Sequence, residues 1–282
     1  MKIYRIRNFD EFGEHIENNK LALDEHAAFL QSFIPAREKP FVIPGYSYTA
    51  KKNVEFLVDY HHSGGTGIVN WRERVCCPYT HYNNRMRATI HLFDLEMEAY
   101  PDSTLYLTEQ VTPLYSYFAD RFHSVVGSEY LGTKIPLGSK NRDGVLNEDL
   151  CSLSFPDESF TTLISLDVLE HIPNYELAFR ECARVVKPGG RMMWSVPFVP
   201  NSPTNMIRAK IVGQDIEHIM PPEYHGDPVA KSKKGILCFQ HFGWEMLAQM
   251  VEGGFKDAYA MCYQSIEFGY LGGEQFLFVA TK

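Results

Sequence analysis

From about Thr104 onward, short apolar runs alternate with segments whose apolar residues recur every three or four positions, the pattern of a parallel sheet with crossover helices. Thr104 to Leu107 predicts a strand. Thr112 and Pro113 then suit the N-cap and first position of a helix, with Leu114, Phe118 and Phe122 spaced along one face. Ser124 to Gly127 predicts a second strand leading to Glu129, and Thr161 to Leu166 a third, after a loop rich in Gly, Pro and Asn. A helix over about Tyr175 to Val186 places Ala178, Cys182, Val185 and Val186 on one stripe and is expected to stop at Lys187, Pro188, Gly189 and Gly190. Met192 to Val196 reads as a buried strand. A helix with Phe242, Met246, Leu247 and Met250 on one side follows, ended by Gly253 and Gly254, and strands over Asp257 to Tyr263 and Gln275 to Ala280 close the chain.

Two regions break this rhythm. Residues 1 to about 100 predict a helix near Leu21 to Phe33, a strand near Val54 to Tyr60 and a helix near Ala88 to Ala99, with no repeating order, so they read as an N-terminal accessory segment (1–100) ahead of the main domain (101–282). The stretch from about 197 to 235 is Pro-rich and aperiodic. A loop of that length inside a compact domain is usually functional, and it is the candidate lid over a substrate. The fold class expected is α/β, a doubly wound, mostly parallel sheet.

Composition narrows the partners. Of 282 residues, 45% are hydrophobic and 22% charged, values of an ordinary globular chain. The formal charge of -8, from 27 Lys and Arg against 35 Asp and Glu, opposes binding to nucleic acid. Two short basic clusters, Arg72, Arg74, Arg85 and Arg87, then Lys231, Lys233 and Lys234, read as solvated faces rather than nucleic-acid sites. The opening MKIYRIRNFDEFGEHIE has no continuous apolar run of the signal-peptide kind, and no later stretch has the length of a membrane span. The cysteines form no regular disulfide framework, which favours a reducing, cytoplasmic setting.

The stretch 145–198, VLNEDLCSLSFPDESFTTLISLDVLEHIPNYELAFRECARVVKPGGRMMWSVPF, closely resembles small-molecule methyltransferases of the class I, methyltransferase type 11 superfamily. The likeness extends more weakly over about 104–282. It implies a Rossmann-like methyltransferase fold and S-adenosylmethionine as cofactor. By that resemblance, EDLCSLSFPDESF lies beside the adenine, LISLDVLEHIP carries the fourth strand, and RVVKPGGRMMWSVPF forms the next helix, turn and strand.

Physical reasoning supports the resemblance. In a doubly wound sheet the ligand crosses the carboxyl ends of the strands. Glu109, Glu129, Asp149 and Asp167 each stand at or just after a strand end and so fall along one rim. Glu129, at the end of the second strand, is the candidate for accepting both ribose hydroxyl hydrogens. Asp149 and Leu150 match the adenine position, although a turn aspartate is an alternative reading. Asp167 faces the methionine end or caps the short turn DVLEH.

The glycine-rich loop that the family places after the first strand is missing. Glu109 is followed by Gln110, Val111, Thr112, Pro113, Leu114 and Tyr115, with no glycine. Thr112 still offers a hydroxyl. Either this loop takes another path, or cofactor binding is weakened or lost.

Methyl transfer to a hydroxyl needs alignment and a base. His171, His225 (with Asp227 to orient it) and His241 qualify by position, and His225 is favoured. No metal is expected: Glu170 and His171 are sequence neighbours and would diverge on a helix. Cys76, Cys77 and His81 hint at a zinc knuckle, but no earlier cysteine pair exists, since Pro44 to Thr49 reads PGYSYT. Buried structural cysteines are the better reading. The expected activity is methyl transfer to a hydroxyl of a small molecule or a sugar or glycan precursor. The alternative is a non-catalytic binding or scaffold protein of the same fold. A dehydrogenase is disfavoured because no G-x-G-x-x-G loop is present.

Overall fold

The structure is a computed structural model and describes residues 1–61, 63–229 and 234–282. Lys231 and Lys233 of the second basic cluster lie outside the described residues. The chain divides into two compact units. One comprises Met1–Ile6, Asp10–Glu98 and Ala260–Leu277, the other Arg7–Phe9, Ala99–Tyr259 and Phe278–Lys282. The sequence boundary near residue 100 therefore separates the units in only one direction. Residues 260–277 join the first unit because Ala260 to Gln264 pair antiparallel with Lys2–Ile6, a strand the sequence pattern did not predict.

In the second unit Thr104–Leu107 lies between Ser124–Gly127 and Phe160–Leu166, parallel to both. Phe160–Leu166 pairs in turn with Val186–Ser195, also parallel. Phe278 to Thr281 runs antiparallel along the far side of Val186–Ser195. Leu105, Tyr106, Leu107, Leu163, Ile164 and Trp194 are fully buried, as expected of parallel strands covered on both faces. The flanking helices Pro113–Ala119, Tyr175–Val185 and Glu245–Glu252 bury their apolar stripes: Leu114 and Phe118, then Ala178, Phe179 and Cys182, then Met246, Leu247 and Met250. Thr112 caps the first of these, its Oγ1 accepting the Tyr115 N–H at 3.2 Å.

Three details depart from expectation. The helix ends at Val185, and Lys187 to Gly190 belong to the strand Val186–Ser195 rather than to a turn before it. Gly189 has φ +79°, and a Cβ on Gly190 would lie 2.7 Å from the Thr161 carbonyl oxygen, so the two glycines let the backbone bend without leaving the sheet. The C-terminal helix begins at Glu245, so Phe242 and His241 precede it. The segment from 197 is not structureless. Ala209–Val212 and Asp215–His218 form a hairpin, Tyr224–His225 pairs with Ile236–Leu237, and Met206–Ile207 pairs with Gln240–His241.

The first unit holds an antiparallel sheet in which Lys52–Val58 lies between Phe41–Ser47 and Val75–Cys76. Ile43, Phe56, Val58, Val75 and Cys77 form its core. The expected helices are observed over Phe9–Phe33 and Asn84–Glu96, the latter capped by Asn83, whose Oδ1 accepts the Met86 N–H at 2.8 Å. Ser47 donates its hydroxyl to Cys77 Sγ at 3.3 Å. A serine thus stands where a ribbon-type zinc site would need a second thiolate. Among the described residues neither Cys76 nor Cys77 belongs to a group of three metal-ligating side chains. Arg72, Arg74 and Arg85 pair with Glu73 or Asp59, and Arg87 is buried against backbone carbonyls, so this cluster is not a free basic face. No helix among the described residues is long and apolar enough to cross a membrane.

Candidate active site

A cavity of about 940 Å³ lies within the second unit, at the carboxyl ends of its parallel strands. Its size suits a cofactor together with an acceptor. Glu109, Thr112, Glu129, Asp149, Leu150 and Asp167, the six residues expected to meet the cofactor, all line it. His171 and Asp227 line it as well, whereas His225 does not.

Glu129 does more than end a strand. Its Oε1 accepts the backbone N–H groups of Gln110 at 2.7 Å and Val111 at 3.1 Å, which pins the loop after the first strand. Burial pushes the Glu129 carboxyl above its ordinary value, the two N–H groups counteract this, and Asp227 adds to the rise. The pinned loop turns the Val111 side chain outward, where it is exposed, while Thr108, Glu109 and Thr112 form the cavity wall. The loop without glycines therefore leaves the cavity open beside Thr108, Glu109 and Thr112. Gln110, which the sequence reading did not single out, secures the other side. Its Oε1 accepts the Leu146 N–H at 2.8 Å and its Nε2 donates to the Gly144 carbonyl at 3.1 Å.

Asp149 is a turn residue and a cavity residue at once. Its Oδ1 accepts the Cys151 N–H at 2.8 Å. Behind this turn Arg184 donates to the carbonyls of Leu153 and Phe155 and to Glu181, while Glu181 Oε2 accepts the Leu153 N–H. That bracket ties the loop after Asp149 to the helix Tyr175–Val185. Arg184 holds the Glu181 carboxyl below the usual range. Asp167 adopts φ +53°, the left-handed region that short polar side chains tolerate best, and its Oδ1 accepts the Ser195 hydroxyl at 2.8 Å. It is not the cap of the following turn: Leu169–His171 starts from Val168 with no side-chain cap.

The turn Leu169–His171 and the segment from 197 together carry a histidine–carboxylate cluster. Leu169–His171 is a single 3-10 turn, and Tyr224–His225 comes from the inserted segment. His171 Nδ1 lies 2.8 Å from the Leu237 carbonyl, which can only accept, so Nδ1 carries a hydrogen. His225 Nδ1 stands 3.3 Å from Glu170 Oε1, and its Nε2 lies 3.0 Å from Glu223 Oε1. Glu223 also meets His241 Nε2 at 3.1 Å and Arg208 at 3.1 Å. Glu170, and after it Glu223, raise the His225 imidazole to about 9 against the opposing effect of burial. Both His225 nitrogens thus face carboxylates, and the ring does not line the cavity directly. Asp227, expected to orient His225, instead lines the cavity, and Glu223 and Glu170 occupy that orienting position. Glu223 and Arg208 were missed, and Glu170 was weighed only against His171, because the contacts that give them meaning, Glu170 with His225 and Glu223 with Arg208 and His241, join residues apart in sequence. The expectation that Glu170 and His171 diverge fails: the two side chains turn toward one another, with His171 Nε2 3.7 Å from Glu170 Oε1.

Residues 112–194 match the family model described as a methyltransferase domain. No curated protein matches the chain. Among solved structures, an S-adenosylmethionine-dependent methyltransferase from Mesorhizobium loti is 16% identical, with alignment over 69% of this chain and 98% of that one and a TM-score of 0.45. A Burkholderia thailandensis 1,6-didemethyltoxoflavin-N1-methyltransferase is 14% identical over 70% of this chain and 77% of that one, with a TM-score of 0.39. The YcgJ protein of a Bacillus species is 16% identical with a TM-score of 0.33; the alignment takes in 40% of this chain and about half, 51%, of that protein's length. Residues 112–194, the stretch similar to a methyltransferase domain, lie among the parallel strands Thr104–Leu107, Phe160–Leu166 and Val186–Ser195 at whose carboxyl ends the cavity opens.

Proposed function

We propose that the chain is a catalytic methyltransferase that transfers a methyl group from S-adenosylmethionine to a hydroxyl of a small molecule or a sugar or glycan precursor. The observation that carries this reading is the single cavity wall shared by two sets of groups. Glu129, Asp149, Leu150 and Asp167, which the resemblance assigns to the cofactor, line it together with His171 and Asp227.

The cofactor supplies a methyl carbon already activated by a sulfonium. The residues of this chain have three tasks: to hold the ribose and adenine, to align the acceptor, and to receive its proton. Glu129 keeps Oε2 for the ribose while Oε1 holds the loop. Leu150 and the Asp149 turn flank the adenine. As the acceptor oxygen bonds to the methyl carbon and the carbon–sulfur bond breaks, the hydroxyl proton leaves toward the histidine–carboxylate cluster. His171 and Asp227 line the cavity, and the His225 ring lies 5.0 Å from that of His171. The segment from 197 onward, which brings Asp227 to the cavity, is read as a lid over the acceptor.

The test is incubation with S-adenosylmethionine carrying a labelled methyl group and a panel of hydroxylated metabolites and nucleotide sugars. Label recovered on an acceptor oxygen supports the reading. Label found only on nitrogen or carbon, or cofactor binding without transfer to any acceptor, contradicts it. The last outcome would favour the non-catalytic alternative, which the glycine-less loop keeps in view.

A further inference from the structure

We infer that Glu170, His171 and His225 form a binding site for one divalent cation of the zinc class, at the lid end of the cavity. The inference goes beyond methyl transfer and stands whether or not transfer occurs.

Glu170 is completely buried, and neither carboxylate oxygen has a hydrogen-bond partner. Leaving a carboxylate in that state is costly unless a cation faces it. Two imidazoles do face it. His171 Nε2 lies 3.7 Å from Oε1 and His225 Nδ1 3.3 Å from the same oxygen, with the ring centroids 5.0 Å apart. Each ring's other nitrogen is engaged away from the centre. His171 Nδ1 donates to the Leu237 carbonyl at 2.8 Å, and His225 Nε2 is 3.0 Å from Glu223 Oε1. That is the outer-shell arrangement of metal-bound histidines, in which the second N–H goes to a carbonyl or carboxylate and the first nitrogen offers its lone pair to the metal. A proton on His225 compensates one contact only. It leaves Glu170 Oε2 unmatched.

The spacing fits as well. Ligands about 2.0–2.1 Å from a tetrahedral zinc lie about 3.3–3.4 Å from one another, and the contacts to Oε1 are 3.3 and 3.7 Å. Two imidazoles and one carboxylate make a borderline-hard set of the kind zinc takes, with three protein ligands and a fourth position open. His171 lines the cavity, so the ion would sit at its wall, where its charge favours an ionised acceptor oxygen.

The neighbouring group Glu223, Cys238 and His241 is the weaker candidate. Glu223 is already satisfied by His225, His241 and Arg208. Cys238 would have to ionise, yet burial and the nearby Glu170 and Glu223 push its thiol up to about 12.

The test is metal binding by the full chain, after removal of bound metal with a chelator and titration with zinc by calorimetry. Elemental analysis gives the stoichiometry, and cobalt substitution gives the ligand spectrum. The expected result is one ion per chain and a cobalt spectrum of a four-coordinate site without thiolate charge-transfer absorption. Affinity should fall in Glu170→Gln and in His225→Asn by more than the roughly 10- to 100-fold that loss of an outer-shell partner costs, and stay unchanged in Cys238→Ser. Circular dichroism and S-adenosylhomocysteine binding, measured on the same samples, separate misfolding from ligand loss and keep this test distinct from that of the methyltransferase reading. No stoichiometric binding by the folded wild type would overturn the inference. So would affinity unaltered in both folded ligand variants, or a thiolate band that disappears in Cys238→Ser.

Discussion

Glu129 Oε1 accepts the backbone N–H of Gln110 at 2.7 Å, so one carboxylate both closes the second strand and fixes the loop after the first. In a glycine-rich loop, backbone shape alone would allow the cofactor to approach. Here a side chain from the adjacent strand imposes the shape on residues that have Cβ atoms. Glu129→Ala should therefore weaken S-adenosylhomocysteine binding by about 1 to 3 kcal/mol, through lost charge-assisted hydrogen bonds to the ribose and a loosened loop. Calorimetric titration reads this directly. Since burial raises the Glu129 carboxyl, wild-type affinity should also decline as the pH falls through that raised value, a decline that the Ala variant should not share.

The same geometry predicts two opposite outcomes a few residues apart. Val111 points outward, so Val111→Ala should leave cofactor affinity and stability within about 0.5 kcal/mol of wild type. Gly127 is covered by the Tyr115 ring, and a Cβ there would lie 2.5 Å from that ring and 2.9 Å from the Glu109 carbonyl oxygen. Gly127→Ala should cost about 1 to 3 kcal/mol of stability in urea unfolding, because the displaced ring begins the helix that Thr112 caps. A harmless Gly127→Ala would show that this packing is looser than described.

Much of the second unit was legible because its signals are local. Thr112 before Pro113 marks a helix start, and the runs at Thr104–Leu107 and Phe160–Leu166 are apolar because both faces of a parallel sheet are covered. Lys2–Ile6 was not legible. It alternates charge with apolar residues and becomes a strand only by pairing with residues some 250 positions away. The beginning of the helix Phe9–Phe33 was obscured for a similar reason: only Phe12, His15 and Leu30 are buried along it, so its apolar period is weak. At the site, the rim carboxylates could be placed because strand ends place them. Glu170 and Glu223 could not, because their meaning depends on His225 arriving from an insertion whose hairpins leave little periodic trace.

Glu181 offers a pH test of the bracket behind the adenine-side turn. Arg184 lowers its carboxyl in the folded chain, so the stabilisation is fully present above the unfolded value and is lost as the pH falls through the folded one. Glu181→Gln should cost about 1 kcal/mol at neutral pH, and the gap from wild type should narrow on acidification. Denaturant midpoints across the acid range check this. A gap independent of pH would mean that the amide loses packing rather than the ion pair.

His225→Ala should lower turnover by about 10- to 100-fold while leaving S-adenosylhomocysteine affinity intact, because it strips buried Glu170 of the imidazole 3.3 Å away and removes the ring packed beside cavity-lining His171, yet His225 does not line the cavity itself. Steady-state kinetics with an identified acceptor, set beside cofactor titration, separates the two effects. Equal losses in both would place His225 in the general stability of the domain instead.

The central claim, that a loop without glycines still leaves a working cofactor site, is tested most directly by titrating the purified wild-type chain with S-adenosylhomocysteine in a calorimeter. The account predicts saturable one-to-one binding that weakens in Glu129→Ala and is unchanged in Val111→Ala. No saturable binding by the folded wild-type chain, or equal affinity in Glu129→Ala and wild type, would contradict it.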